Sequence, residues 1–107
     1  MLTLLLLGLA EQLACKWSIH DPHPAALPTL MLYGSCFQPD SEVATAVMKA
    51  DGIGPESLAA ACQSRRQLWL DQAVKAVRAA GSSDMLQEKR KLESQFRTID
   101  RHCGPAG

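Results

Sequence analysis

The sequence predicts an all-α protein, a single-domain bundle of about four helices ending in an antiparallel helical hairpin. Three observations carry that expectation. Apolar residues recur at three- and four-residue spacing from 55 to about 80 and again from 83 to 102. Gly81 ends the first of those stretches, and Ser82 or Ser83 is placed to cap the second. The chain has 107 residues, 47% apolar and 21% charged, a size and mixture that suit one globular domain rather than two or a disordered chain.

The run from Leu2 to Ala10 is the most apolar stretch of the chain, and residues 1–18 read as a first helix. Leu2, Leu5, Leu6, Leu9, Leu13 and Trp17 fall at helical spacing, as the buried stripe of a first helix would. The same residues also read as a targeting segment, with Gly8-Leu9-Ala10 as a small-x-small cleavage site. Leu13-Ala14-Cys15 resembles the end of a bacterial lipoprotein signal, although Gln12 stands where that pattern has an aliphatic residue. The run is shorter than the roughly 20 residues a membrane span needs.

Residues 19–40 form a proline-containing loop region, because Pro22, Pro24 and Pro28 disfavour helix through 21–28. Within it, residues 29–37 read as a short helix, with a buried strand as the alternative. The helical region 41–103 follows. Asp40 or Ser41 can cap a helix over 41–50 that Gly52 ends, and Gly54-Pro55-Glu56 opens the next. In the helix from 55 to 80, Leu58, Ala61, Cys62, Leu68, Trp69, Ala73, Ala76, Val77 and Ala80 define the expected buried face, widened by Leu70 and Val74. The helix over 83–102 carries a narrower seam of Met85, Leu92, Phe96, Ile99 and Cys103 among charged residues.

Four cysteines suggest disulfides and therefore an oxidising compartment. Cys62 precedes the Gly81 turn by about 20 residues and Cys103 follows it by about 20. At a rise of 1.5 Å per residue, both fall roughly 30 Å from the turn. A Cys62–Cys103 disulfide would staple the hairpin. Closing that loop of about 40 residues is worth roughly 4 kcal/mol in the chain-entropy model. Cys15 and Cys36 flank the proline loop and form the complementary pair.

Cys15, His20, His23 and Cys36 are also four residue types that zinc can take tetrahedrally, though their spacing matches no common finger. Catalytic signatures are thin. Gly34-Ser35-Cys36-Phe37 is similar to the nucleophile segment of papain-type proteases, whose fold is far larger than this chain. The residues supply no phosphate loop, dinucleotide fingerprint or Cys-x-x-Cys pair.

Net charge is zero, but residues 1–54 hold two basic and five acidic residues, and residues 55–107 nine and six, giving −3 and +3. The two halves are expected to attract one another or face water, with an acidic partner for the basic half as the alternative. One local pattern points to nucleic acid. Gly52-Ile53-Gly54-Pro55 resembles the helix-hairpin-helix motif of DNA-binding proteins, a glycine–aliphatic–glycine turn between two short helices. That resemblance implies phosphate contacts from Gly52, Ile53 and Gly54, with Arg65 and Arg66 adding charge downstream. It covers about a dozen residues, and Glu56 and Ala50 depart from the pattern. A plain helix stop at Gly52, with Ile53 packing inward, accounts for the same residues.

Together these features lead to an expectation of a non-enzymatic module, periplasmic or secreted, that binds another protein and needs no cofactor. Inhibitors, immunity factors and secretion accessories are roles that suit such a scaffold. An intracellular DNA-associated protein is the alternative, and a zinc-stabilised domain the third.

Overall fold

Pro28 helps to start a helix rather than preventing one. In the computed structural model, which describes residues 19–103, the first described helix, α1, spans Leu27–Cys36 with proline in its opening turn. A first-turn amide has no intrahelical acceptor, so its loss there costs nothing. The amides of Ala26 and Leu27 donate to the His23 carbonyl at 2.9 and 3.0 Å and lead the chain in. The helical reading of 29–37 therefore holds, beginning two residues earlier. The helix expected over 1–18, with Cys15 and Trp17, lies outside the described residues.

Helix α2, Glu42–Asp51, is capped at both ends. Ser41 Oγ accepts from the Ala44 amide at 3.0 Å and donates to the Ser35 carbonyl at 2.6 Å, tying the end of α1 to the start of α2. Gly52 ends the helix in the left-handed region, with φ +64°, where a side chain would be strained whatever the space around it. The Ile53 amide then reaches back to the Met48 carbonyl at 3.0 Å, and the Ile53 side chain packs inward.

The single helix expected from 55 to 80 is three pieces: a 3-10 turn at Pro55–Ser57, α3 at Leu58–Ser64 and α4 at Arg66–Ala79. The break falls at Arg65, whose backbone angles are φ −96° and ψ −1°. A straight helix burying Leu58, Ala61 and Cys62 would turn residue 65 toward the same apolar face. Burying that guanidinium would cost more than interrupting the helix. The chain bends instead, and Ser64 Oγ and Arg65 Nη1 both donate to the Ala61 carbonyl, at 2.7 and 3.1 Å. The bend also resets the buried face. Leu70, Ala73 and Val77 are buried, whereas Leu68 and Ala80, expected in the core, are exposed, Leu68 by 57%.

Gly81, at φ +89°, turns the chain after α4. Asp84 caps α5, Met85–Cys103, by accepting from the Gln87 amide at 3.1 Å, a role expected of Ser82 or Ser83. The seam of α5 is as the periodicity predicts: Leu92, Phe96 and Ile99 are buried, and Met85 and Cys103 pack against them.

All five described helices serve two adjoining apolar clusters. The larger joins α1, α4 and α5 around Leu30, Tyr33, Val77, Leu92, Phe96 and Ile99. The smaller joins the end of α1 to α2 and α3 around Cys36, Val47, Leu58 and Cys62. Phe37 and Trp69 pack against both. Among the described residues, no helix is long and apolar enough to cross a membrane.

Phe96 is fully buried and stacks on Tyr33, with ring centroids 5.0 Å apart. Phe96→Ala is expected to lower unfolding free energy by about 3–5 kcal/mol, and Leu68→Ala by less than about 0.5 kcal/mol. Urea titration followed by tryptophan fluorescence measures both.

Candidate functional site

Cys36 and Cys62 are joined by a disulfide, with sulfurs 2.08 Å apart and Cα atoms 5.9 Å apart. Both residues are fully buried. This overturns the two expected pairings, Cys62 with Cys103 and Cys15 with Cys36. The hairpin argument needed one straight helix from 55 to 80. The bend at Arg65 instead carries Cys62 into the smaller cluster, beside the last residue of α1. Cys103 is itself disulfide-bonded, and Cys15 lies outside the described residues.

The bend is flanked by two arginines, each held by an aspartate distant in sequence. Arg65 Nη1 and Nη2 donate to the two carboxylate oxygens of Asp51 at 2.8 and 2.6 Å. Hydrogen bonding from Arg65 holds the Asp51 carboxyl below its ordinary range and raises the guanidinium in turn. Arg66 Nε donates to Asp100 Oδ2 at 3.0 Å, and its guanidinium carbon lies 5.6 Å from the Phe96 ring centroid. The other oxygen of Asp100 accepts from the Tyr33 hydroxyl. Burial, then the bond to Asp100, pushes the Tyr33 phenol well above its ordinary value of 10.0. Neither arginine meets the acids nearest in sequence, since Asp71 accepts from Gln67 at 2.9 Å.

These contacts bear on the residues expected to touch DNA. Arg65 and Arg66 have their guanidiniums on Asp51 and Asp100. In the Gly52–Gly54 turn, the Ile53 amide is bonded to Met48, and the Ile53 side chain packs against the smaller cluster. The Glu56 carboxylate lies close enough to Gly54 that a Cβ there would meet its oxygens at 2.7 Å. A negative group thus stands beside the backbone that the motif would offer to phosphate.

The zinc set does not assemble as expected. Cys36 has its sulfur in the disulfide and offers no thiolate. His23 Nδ1 accepts from the Ala25 amide at 3.0 Å, and the His20 carbonyl accepts from Gln95 Nε2 at 3.0 Å. No group of three possible ligands occurs among the described residues.

Two surface features remain. An open cleft of about 380 Å³ between α4 and α5 is lined by Leu70, Val74, Lys75, Arg78, Lys89 and Glu93. The second feature is the outward side of α1. This helix has no charged residue, and Leu27, Pro28, Met31 and Leu32 turn away from its buried side. Leu27 and Leu32 are 37% and 41% exposed. Sequence periodicity could not single out that side, because α1 is apolar almost all round and reads simply as buried.

Comparison of the chain with protein-family models, with curated proteins and with solved structures finds no match. The all-helical fold and its disulfide therefore define the class: a small disulfide-containing helical domain.

Replacing Cys36 and Cys62 together by alanine opens a 26-residue separation and is expected to lower stability by about 2–4 kcal/mol. Denaturant unfolding with and without reductant checks this, because reductant would then reduce the difference between the variant and the parent. Tyr33 is the chain's one tyrosine. Its ultraviolet tyrosinate signal is expected to rise only well above pH 10 in the folded protein, and near about 10 in urea. Because the folded value is the higher one, this contribution to stability is complete below about pH 10 and declines as pH rises beyond it.

Proposed function

We propose that this protein is a non-enzymatic module of an oxidising compartment, periplasmic or secreted, that binds another protein through the outward side of α1. The carrying observation is that a helix with no charged side chain presents Leu27, Met31 and Leu32 outward from a scaffold fixed behind it. A helix apolar on all sides is ordinarily covered on all sides. An exposed apolar patch beside polar surface is a common mark of an interaction site.

The cysteines support the compartment in this reading. A disulfide whose two residues are both fully buried is shielded from exchange with small thiols and suits an environment that keeps it formed. The bond also fixes the end of α1 against α3, so the presenting helix is ordered before a partner arrives. Prior order lowers the entropy lost on binding.

A photo-crosslinking residue at position 32, in protein expressed in its source cells, is expected to give one discrete adduct with another polypeptide. The same residue at Gln72, on the exposed side of α4, is expected to give none. Adding Leu27→Asp should reduce the adduct about tenfold or more, the effect of losing one well-buried leucine. No adduct at 32, or equal labelling at 32 and 72, would overturn the reading.

A further inference from the structure

Asp71, Lys75, Lys89 and Glu93 line the cleft between α4 and α5, and all four are exposed. The ion pairs among the described residues are Arg65–Asp51, Arg66–Asp100 and Lys91–Asp21, so none of these four charges takes part in one. Each acid stands four residues from a lysine on its own helix, yet neither pair closes to ion-pair distance, and the Asp71 carboxylate accepts from Gln67 instead. We infer that two copies of this protein associate face to face through this cleft, with the acids of each copy on the lysines of the other. The surface is separate from the outward side of α1, and the association does not depend on the partner proposed there.

The placement of these charges along the hairpin points to a second copy. Helices α4 and α5 lie on either side of a turn centred on Ser82. Asp71 and Glu93 each stand 11 residues from Ser82, and Lys75 and Lys89 each stand seven. At 1.5 Å of rise per residue, the acids are level at about 16 Å from the turn and the lysines at about 10 Å. The Arg66–Asp100 pair fits this register, since those residues stand 16 and 18 from Ser82. Both helices are unbroken over the stretch, because α4 begins beyond the Arg65 bend. Acid is therefore level with acid across the cleft, and lysine with lysine. Within one molecule that arrangement is repulsive, and its compensation must come from outside.

A twofold axis crossing both helices at right angles, midway between the two bands, supplies it. That axis reverses the helix direction of the second copy and sets α4 on α4 and α5 on α5. Asp71 then meets Lys75 of the second copy, Glu93 meets Lys89, and each contact occurs twice. One axis serves both helices because the midpoint of Asp71 and Lys75 and that of Lys89 and Glu93 are both nine residues from Ser82. Arg78 lies nearer the turn, outside the paired bands. Val74 lies in the cleft between them, and Leu86, 63% exposed and three residues before Lys89, adds apolar surface on the same side of α5. Two helices about 10 Å apart, in contact over about 20 Å, offer on the order of 400 Å² per copy, the low end for specific interfaces. Charge rather than area holds such a dimer, which is accordingly weak and salt-sensitive.

Sedimentation velocity of the full chain tests this, from about 1 µM to about 300 µM protein in about 20 mM and about 500 mM salt. The expected result is a reversible dimer at low salt whose dissociation constant rises about tenfold or more at high salt. Lys75→Glu and Asp71→Lys, each retaining the parent's helical circular dichroism, should be monomeric alone at low salt. Mixed in equal amounts they should associate again, because the introduced acid of one meets the introduced lysine of the other while the native Asp71 and Lys75 also pair. Lys89→Glu and Glu93→Lys form the equivalent pair of variants on α5. A parent that stays monomeric at low salt would overturn the inference. So would a dimer indifferent to salt or to these variants, or a mixture no more associated than its components.

Discussion

The covalent bond between the last residue of α1 and the middle of α3 is the constraint on which the rest of the molecule depends. Helix α3 is only seven residues long, too short to be stable alone in water. Its order comes from packing Leu58, Ala61 and Cys62 against α1 and α2, and the Cys36–Cys62 bond keeps that packing from separating. The smaller cluster is otherwise built from modest side chains such as Ala44, Val47 and Ala61, whose burial contributes less than the aromatics of the larger one. Covalent closure supplies what that small core lacks.

Polar contacts around the Arg65 bend then fix how the two clusters meet. Arg65 ties α3 to the end of α2 through Asp51, while Arg66 ties α4 to α5 through Asp100. Asp100 also receives the Tyr33 hydroxyl, so one carboxylate holds three helices in register. The charge imbalance between the halves of the sequence is partly answered here. Asp51–Arg65 and Asp21–Lys91 each join an acid of the first half to a base of the second. Both pairs are partly exposed, and their value lies more in alignment than in stability.

This arrangement leaves α1 as the element shared by both clusters and also as the one with an apolar side turned outward. Those two properties have one origin. A helix packed against α2, α3, α4 and α5 must be apolar over most of its circumference. Leu27 and Leu32 continue that character past the edge of the core. The proposed partner surface is therefore the exposed margin of the element that organises the fold, held rigid by the same contacts.

Local chemistry in the sequence determined most of the helices. Ser41 and Gly52 delimit α2, Gly81 marks the hairpin turn, and the seam of α5 is readable because its apolar positions stand alone among charges. The sequence also held a signal for the bend, since residues 63–67 are five consecutive polar positions inside an otherwise apolar periodicity. Taken with the helical spacing, they place Arg65 on a face that must be buried. What only the tertiary structure decided is which cysteines and which charges meet. Disulfide partners depend on the direction in which α3 leaves the bend, and Arg65 and Arg66 bond to aspartates 14 and 34 residues away. Spacing along one helix fixes neighbours within that helix. Contacts between helices follow from how their faces pack, and a single interruption of a helix redirects all of them.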